Sequence, residues 1–192
     1  MDVVYYVAAS IDGYIARRDG SVDWLENVES STTEYGYSEF YRRVDALVMG
    51  RRTYDLVARM GHWPYEDRPS FVMTSRPPDL LPHNGKAIRT ETESLQEGAS
   101  AACRTLSEAG YRRIWLVGGG TVAGSFLAAG HLDELIVTVI PVVLGTGIPL
   151  FDTRDVEEPG LESLFSLLDT RTYDTGVVQM HYRRRRDHQA SV

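Results

Sequence analysis

The chain has 192 residues, 43% of them hydrophobic and 24% charged, which suits one compact domain and excludes a disordered or disulfide-rich chain. The formal net charge of −7 argues against general nucleic-acid binding. Cys103 is the only cysteine, so an internal disulfide is excluded and a reducing compartment such as the cytoplasm is expected.

The start of the chain, Met1 to Ala9, lacks the basic lead and the cleavage pattern of a signal peptide. The longest apolar run, 135–144, has the length of a strand and contains Pro141, so it is too short for a membrane helix. We therefore expect a protein that is neither secreted nor embedded in a membrane.

Short apolar runs alternate with segments of helical periodicity, which predicts an α/β fold with a central sheet flanked by helices. The predicted strands are 2–9, 46–49, 71–74, 87–88, 114–117, 134–143, 164–168 and 177–182. The last two are expected to form an antiparallel hairpin through Asp174-Thr175-Gly176. The sheet is therefore predicted to be mixed, mostly parallel with an antiparallel C-terminal end.

Four helices are expected between these strands. A capping box, Ser31-Thr32-Thr33-Glu34, predicts a helix that begins there and reaches about Val44. The other helices are expected from about Thr53, over 95–109 and over 121–129. Cys103 lies on the apolar stripe of the 95–109 helix, which favours a small core residue over a reactive thiol.

No repeat, low-complexity block or linker divides the chain, so residues 1–183 are predicted to form a single domain. Residues 184–192 are expected to be a basic, flexible tail. The run Arg183-Arg184-Arg185-Arg186 could contact RNA or phosphates, but a solvated tail that follows the last strand is the favoured interpretation.

The segment Gly118-Gly119-Gly120-Thr121 joins a predicted strand to a predicted helix. Glycines allow the backbone to approach a phosphate closely, and a new helix offers free N–H groups and a favourable dipole. Thr121 can cap that helix or donate to a phosphate oxygen. A tight turn with a close helix–sheet contact is the alternative, although three glycines exceed what a turn needs. The late position of this motif disfavours an ordinary Rossmann domain.

A second junction, Gly50-Arg51-Arg52-Thr53, combines a glycine turn with two guanidinium groups and a hydroxyl, which suits a phosphate or diphosphate. Surface arginines early in a helix are also common.

A third strand end, Thr74-Ser75-Arg76, presents hydroxyls and a cation where an NAD-specific site would show a carboxylate, which favours a 2′-phosphate and hence NADPH. A turn ended by Pro77 is the alternative. Because ligands collect at the carboxyl ends of parallel strands, the three segments together predict a dinucleotide site.

These motifs resemble the signature blocks of the dihydrofolate-reductase-like family that includes the C-terminal reductase domain of bifunctional riboflavin-synthesis enzymes. They occur in the family's order and span nearly the whole chain, and together they are specific for the family but not for a substrate. The blocks are Ala8-Ala9-Ser10-Ile11-Asp12-Gly13-Tyr14-Ile15-Ala16, Met49-Gly50-Arg51-Arg52-Thr53-Tyr54, Leu116-Val117-Gly118-Gly119-Gly120 and Pro141-Val142-Val143-Leu144-Gly145-Thr146-Gly147-Ile148-Pro149-Leu150-Phe151.

The resemblance implies a dihydrofolate-reductase-like fold, NADPH as hydride donor and a homodimer. On the phosphate side of the cofactor it implies contacts from Gly50, Arg51, Arg52, Thr53, Gly118, Gly119, Gly120 and Thr121, with Thr74, Ser75 and Arg76 beside the 2′-phosphate. Beside the nicotinamide it implies Ala9, Ile15 and the 141–145 segment, which includes Val143, Leu144 and Gly145.

The hydride would pass to an electrophilic carbon of the substrate, and a carboxylic acid or bound water would deliver the matching proton. Asp12, which the resemblance places on the substrate side of the cleft, is the first catalytic candidate; capping the Asp12-Gly13 turn is its alternative role. Glu29 and Asp23 are the next catalytic candidates after Asp12. Asp23-Trp24-Leu25 resembles the region before the catalytic carboxylate of dihydrofolate reductase, and Glu26 is a further rival.

The leading hypothesis is an NADPH-dependent reductase that resembles the 5-amino-6-(5-phosphoribosylamino)uracil reductase of riboflavin biosynthesis and acts on a small pyrimidine. The deaminase domain that often precedes that reductase is absent from this sequence, so reduction alone is expected. The alternatives are reduction of a dihydrofolate, pterin or other heteroaromatic ring, and a nucleotide-binding sensor without turnover. The scattered histidines show no metal-ligand spacing, so no metal site is predicted.

Overall fold

A computed structural model of the chain describes residues 1–26, 34–60, 62–65, 67–75, 85–89, 95–154 and 162–186. Its helices are α1 (Tyr37–Tyr41), α2 (Arg51–Ala58), α3 (Leu95–Glu108) and α4 (Gly120–Ala128), with a short 3-10 helix at Asp23–Leu25. Its strands are β1 (Asp2–Ser10), β2 (Tyr14–Ala16), β3 (Ala46–Gly50), β4 (Ser70–Thr74), β5 (Gly85–Arg89), β6 (Arg113–Gly118), β7 (Glu134–Ile140), β8 (Ile148–Pro149), β9 (Phe165–Thr172) and β10 (Val178–Arg184).

Within the described residues, eight of these strands form one sheet in the order β5-β4-β3-β6-β1-β7-β10-β9. Neighbouring strands from β5 to β7 pair in parallel, whereas β10 pairs antiparallel with both β7 and β9. The predicted α/β fold, a mostly parallel sheet with an antiparallel C-terminal hairpin, is confirmed. This order brings the carboxyl ends of β4, β3, β6, β1 and β7 to one edge, where the described parts of the predicted cofactor segments lie.

The period of two along each strand divides the core between the two faces of the sheet. Val3 and Tyr5 of β1 pack in the cluster that contains α3 and α4. Val4, between them, packs with α1, α2 and Trp63 on the opposite face. Cys103 is 7% exposed inside the first cluster, which confirms the prediction that it is a core residue.

The helix predicted to begin at Ser31 and reach about Val44 is shorter, because α1 covers only Tyr37–Tyr41. Tyr35 and Gly36 have φ values of +46° and +78°, a left-handed backbone that cannot continue a right-handed helix. The helix can therefore begin only after Gly36. Ser31, Thr32 and Thr33 lie outside the described residues.

Other boundaries also differ from the prediction. β7 ends at Ile140 rather than at Val143, since Pro141 has no N–H to donate to the ladder. α2 begins at Arg51 rather than near Thr53, because Gly50 already occupies the N-cap position.

The prediction that the four arginines follow the last strand is wrong for Arg183 and Arg184, which lie within β10. Arg183 pairs with Glu134 of β7 in the ladder, and its guanidinium donates to the Glu134 carboxylate. The strand is therefore longer than its hydrophobic pattern indicates, because Arg183 pairs with Glu134 of β7 and Arg184 pairs with Phe165 of β9.

Candidate active site

Two helices begin with glycine at the ends of neighbouring parallel strands. β3 pairs with β6, and each strand leads directly into a helix: Gly50 is the N-cap of α2 and Gly119 is the N-cap of α4. Neither N-cap makes a side-chain hydrogen bond, and neither helix has an acidic residue in its first turn. As far as the described residues show, the first N–H groups of both helices are therefore open to an anion, and both helix dipoles favour one there.

The two strand-to-helix connections, at Gly50 and at Gly118-Gly119-Gly120, are called the glycine junctions, and they pack against each other. A Cβ atom at Gly50 would lie 2.9 Å from Cγ2 of Val122 in α4, closer than real contacts allow. A Cβ atom at Gly119 would lie 3.5 Å from the hydroxyl oxygen of Thr53 in α2, which is an ordinary contact. The hydroxyl of Thr53 and the N-terminus of α4 thus face the same space, and the sequence prediction that these segments meet is consistent with the geometry.

The three successive glycines have separate structural roles. Gly118 has a φ of +122°, a conformation that other residues rarely adopt. A side chain on Gly120 would collide with the backbone carbonyl oxygen of Pro149, which lies against α4. Gly119 has an extended backbone with φ −78° and ψ −166°, which any residue can adopt. Turn geometry and close packing therefore explain Gly118 and Gly120, and they leave Gly119 as the position whose missing side chain keeps the helix N-terminus open.

The polar residues around this space have defined partners. Arg51 Nε donates to Asp55 Oδ1 at 2.8 Å, within α2, while Arg52 is exposed. Thr121 Oγ1 is 3.5 Å from Asp152 Oδ2, so its hydroxyl is directed toward that carboxylate. Asp152 is held in turn by the guanidinium of Arg154 through two 2.8 Å hydrogen bonds.

At the end of β4, two of the three residues predicted beside the 2′-phosphate can be located. Thr74 is buried and Ser75 is exposed at the same edge of the sheet as Gly50. Arg76 lies outside the described residues. Among the described residues at this strand end, Ser75 therefore presents a hydroxyl that is open to a ligand.

The segment that follows β7 closes over the loop that follows β1. Ile11 N donates to Val142 O at 2.9 Å, which extends the β1–β7 contact by one hydrogen bond beyond the sheet. Further along, β8 pairs antiparallel with β2, and Leu150 N donates to Gly13 O at 2.8 Å. The two segments predicted beside the nicotinamide are thus brought together by the fold.

Within these segments the predicted nicotinamide residues differ in exposure. Ala9 is 2% exposed and Ile15 is half-buried, whereas Val143 is 66% exposed. Leu144 packs against the small cluster formed by Trp24, Ile140 and Val177. A hydrophobic wall therefore stands beside the carboxyl ends of β1 and β7.

Trp24 is the residue of this wall that sequence reasoning did not single out. It is 1% exposed, and its indole N–H has no hydrogen-bond partner within the described residues. A buried donor of this kind costs roughly 1–3 kcal/mol unless a partner satisfies it. The only sequence signal was the resemblance around Asp23-Trp24-Leu25, which says nothing about the state of the N–H.

The carboxylates named as catalytic candidates are bound to other groups. Asp12 accepts hydrogen bonds from the Ser10 hydroxyl and from the backbone N–H groups of Leu144 and Gly145, which together hold its pKa below the ordinary value. Asp23 accepts from Arg17 and Ser21, which lowers its pKa to about 2. Both are therefore ionised at neutral pH and poorly suited to donate a proton. Glu29 lies outside the described residues.

In the described part of the chain, no group of three or more His, Cys, Asp or Glu side chains could hold a metal ion. A helix long and apolar enough to cross a membrane is likewise not found there.

Comparison with known proteins identifies the family. The sequence profile of the "RibD C-terminal domain" matches residues 2–179. The uncharacterized protein YwjB of Bacillus subtilis is 37% identical over 180 residues, 93% of this chain and 95% of that protein. The dihydrofolate reductase HdrB of Haloferax volcanii is 34% identical over 137 residues, 69% of this chain and 62% of that protein.

Solved structures show the same fold. A putative riboflavin biosynthesis protein from Shewanella sp. PV-4 superimposes with a TM-score of 0.83 at 28% identity, covering 97% of this chain and 100% of that one. Dihydrofolate reductase from Enterococcus faecalis, solved with NADP(H), superimposes with a TM-score of 0.59 at 16% identity, covering 95% of this chain and 96% of that one. The arrangement of strands, glycine junctions and closing segment, together with the profile match, shows that this chain belongs to the RibD C-terminal domain family, a family of reductases with a dihydrofolate-reductase-like fold.

Proposed function

We propose that this protein is an NADPH-dependent reductase of a small heteroaromatic substrate, with a pyrimidine like 5-amino-6-(5-phosphoribosylamino)uracil as the leading substrate. The observation that carries the proposal is the position of helices α2 and α4 at the ends of adjacent parallel strands. Each helix follows a glycine N-cap, Gly50 or Gly119, that makes no side-chain hydrogen bond to the helix. Two such N-termini side by side suit the two phosphates of a dinucleotide better than a single anion.

The residues present fit this cofactor. Gly119 leaves space that a side chain would occupy, and the Thr53 hydroxyl faces that space. Arg51 and Arg52 lie in the first turn of α2, where guanidinium groups can neutralise phosphate charge. Gly50, Gly118, Gly120 and Thr121 complete the phosphate side in this proposal, and Thr74, Ser75 and Arg76 would serve the 2′-phosphate.

The bound cofactor would supply a hydride from its reduced nicotinamide. Ala9, Ile15 and the 141–145 segment would orient the ring and exclude water from it. A pyrimidine and a pterin are both heteroaromatic rings that such a hydride donor could reduce.

The proton that balances the hydride would come from a water molecule in the cleft or from Glu29. Asp12 and Asp23 are disfavoured for this role since both carboxylates already accept hydrogen bonds that stabilise their ionised forms.

A dihydrofolate or other pterin is the second candidate substrate. The observation that favours it is the 34% identity to the dihydrofolate reductase of Haloferax volcanii, which covers 69% of this chain. A pterin reductase would be expected to use one carboxylate beside the substrate ring, and Glu29 is the candidate for that group.

We also propose that the protein forms a homodimer and acts in the cytoplasm. β9 is an edge strand of the sheet, and Leu164, Leu167 and Leu168 on or next to it are 45–56% exposed. Exposed leucines on an open sheet edge favour pairing with another surface. A sedimentation measurement that gives only the monomer at micromolar concentration would contradict the dimer.

The test is a calorimetric titration with NADPH and with NADH, followed by NADPH oxidation with the riboflavin-pathway pyrimidine and with dihydrofolate. We expect clear preference for NADPH and turnover of one substrate. Arg52→Ala should weaken NADPH binding about tenfold, whereas Arg59→Ala, at the end of α2 away from the glycine junction, should leave it unchanged. Binding without turnover of either substrate would favour a nucleotide sensor, and binding of neither nucleotide would refute the proposal.

A further inference from the structure

Asp12 joins two loops that are far apart in the sequence. Its Oδ1 atom accepts from the Ser10 hydroxyl at 2.6 Å and from Leu144 N at 3.1 Å, and its Oδ2 atom accepts from Gly145 N at 2.7 Å. Leu144 and Gly145 lie 132 and 133 residues away along the chain. The side chain is exposed, yet both of its oxygen atoms are used by protein donors.

These bonds act where backbone pairing between the two loops stops. β1 and β7 are parallel neighbours whose ladder ends at Ser10 and Ile140, and one more backbone hydrogen bond joins Ile11 to Val142. Beyond that point the loop after β7 runs on toward β8. The Asp12 carboxylate takes over as the acceptor for the next backbone N–H groups of the loop, a role that a carboxylate performs well because its hydrogen bonds are charge-assisted.

The carboxylate is itself held in place. Ser10 is 2% exposed, and its hydroxyl oxygen accepts from Tyr14 N at 3.0 Å while its proton goes to Asp12. Tyr14 begins β2, which pairs with β8 on the far side of the same closing segment. The Ser10–Asp12 pair therefore connects the end of β1, the start of β2 and the loop after β7.

We propose that Asp12 is a positioning residue that holds the 141–145 segment against the nicotinamide half of the cofactor, rather than a proton donor. This inference rests on the proposed NADPH function. The adenosine and phosphate half is assigned to the α2 and α4 N-termini and to the end of β4, whereas the hydrogen bonds of Asp12 to other described residues come from Ser10, Leu144 and Gly145. Loss of the carboxylate should therefore release the nicotinamide end and spare the other end.

The first experiment follows the loop itself, without any cofactor. Amide hydrogen exchange of Leu144 and Gly145, measured by NMR, should be about tenfold faster or more in Asp12→Ala, because a charge-assisted hydrogen bond has been lost. Asp12→Ser, which keeps one short acceptor, should give an intermediate rate. Asparagine is avoided as the replacement because it would create an Asn-Gly sequence, which deamidates readily.

Asp19→Ala is the matched control. Asp19 is also exposed and also precedes a glycine, in the turn after β2, but among the described residues its Oδ1 atom accepts a local bond from Ser21 N at 2.9 Å. This variant should leave exchange at Leu144 and Gly145 unchanged. Equal exchange in wild-type protein and Asp12→Ala would overturn the proposal.

The second experiment separates the two halves of the cofactor. Asp12→Ala should bind 2′,5′-ADP with the wild-type Kd, within about twofold, while the lifetime of NADPH nicotinamide fluorescence in the complex falls toward that of free NADPH. A merely structural effect would weaken both ligands together. If the lifetime is unchanged although exchange is faster, the loop is held by Asp12 but does not order the nicotinamide, and the proposal is wrong.

Failure of the proposed function has a different signature. If the wild-type protein binds neither NADPH nor 2′,5′-ADP, the cofactor assignment fails and the nicotinamide role of Asp12 fails with it. The exchange measurement would still decide whether Asp12 holds the 141–145 segment in place.

Discussion

The carboxylate of Glu134 accepts a hydrogen bond from Arg113 Nη2 at 2.8 Å, although the Glu134 side chain is only 2% exposed. His181 Nε2 lies 3.0 Å from the same carboxylate, and Arg183 contacts its other oxygen. Glu134 begins β7 and Arg113 begins β6, so this network lies at the amino ends of the strands, opposite the proposed cofactor site. We therefore expect this network to contribute to stability rather than to catalysis.

Replacing Glu134 with alanine should destabilise the fold by about 1.5–3 kcal/mol, because the half-buried Arg113 guanidinium would lose a charged hydrogen-bond partner and, among the described residues, keep only the Asp2 carboxylate, 3.9 Å away. Glu134→Gln, which keeps a hydrogen-bond acceptor, should cost less. Urea unfolding monitored by tryptophan fluorescence measures both variants. Glu108→Ala, an exposed carboxylate at the end of α3, serves as the control and should change stability by less than about 0.5 kcal/mol. A loss below about 1 kcal/mol for Glu134→Ala would show that the network contributes little.

The same carboxylate predicts acid sensitivity. Burial alone would raise the pKa of Glu134, but the hydrogen bond and charge of Arg113, with the hydrogen bonds from Arg183 and His181, lower it to about 2. A lowered pKa in the folded state means that the stabilisation is fully present above the unfolded value near 4.5 and is lost as the pH falls toward 2. Between pH 5 and about 2, the unfolding free energy of wild-type protein should therefore fall more steeply than that of Glu134→Gln. Parallel pH profiles for the two proteins would contradict this assignment.

Gly119→Asp should weaken NADPH binding without lowering the stability of the fold. An aspartate at the N-cap of α4 accepts a hydrogen bond from the helix and interacts favourably with its dipole, so stability should be unchanged or rise by about 1 kcal/mol. Its negative charge would occupy the proposed phosphate position, so the Kd for NADPH should rise at least about tenfold. Calorimetric titration and thermal unfolding measure the two effects. Gly119→Ser, a neutral cap, is the control for charge, and unimpaired NADPH binding by Gly119→Asp would exclude a phosphate from this helix terminus.

Gln179→Met should weaken the attachment of the segment that leads into α1. The Gln179 amide donates to the carbonyl oxygen of Tyr35 and to the Thr138 hydroxyl, both at 2.9 Å, and Tyr35 has the unusual φ of +46°. Methionine fills a similar volume but donates nothing, which should cost about 1–3 kcal/mol. Thermal unfolding gives the loss, and limited proteolysis should show earlier cleavage near Tyr35. Met180→Leu in the same strand is the comparison, and equal stability of the two variants would mean that the buried amide contributes nothing.

Cys103 should be unreactive while the protein is folded. Burial raises the pKa of its thiol to about 12, so almost no thiolate forms at pH 8. A colorimetric thiol reagent should therefore label Cys103 at least about a hundredfold more slowly in the native protein than in 6 M guanidinium chloride. Rapid labelling of native protein would show that the apolar face of α3, which includes Cys103, becomes exposed to solvent far more readily than its packing indicates.

Local sequence patterns were sufficient to predict the parallel strands, the glycine junctions and the family. Alternation and helical periodicity depend on neighbouring residues, and the junctions at Gly50 and Gly119 follow from strand and helix limits that lie within a few positions. The helix at α1 was predicted too long since Tyr35 has a left-handed backbone, and its carbonyl oxygen accepts a hydrogen bond from Gln179, far along the chain. Propensity contains no information about such a contact.

The roles of individual site residues were decided only by the tertiary structure. In the sequence, Asp12-Gly13 reads equally well as a turn or as a catalytic carboxylate, and its partners Leu144 and Gly145 become visible only when β7 is placed beside β1. Gly120 likewise needs to be small because Pro149 lies against it. Strand pairing and close packing join residues that are distant along the chain, so local sequence patterns determine which elements form, whereas the fold determines what their side chains meet.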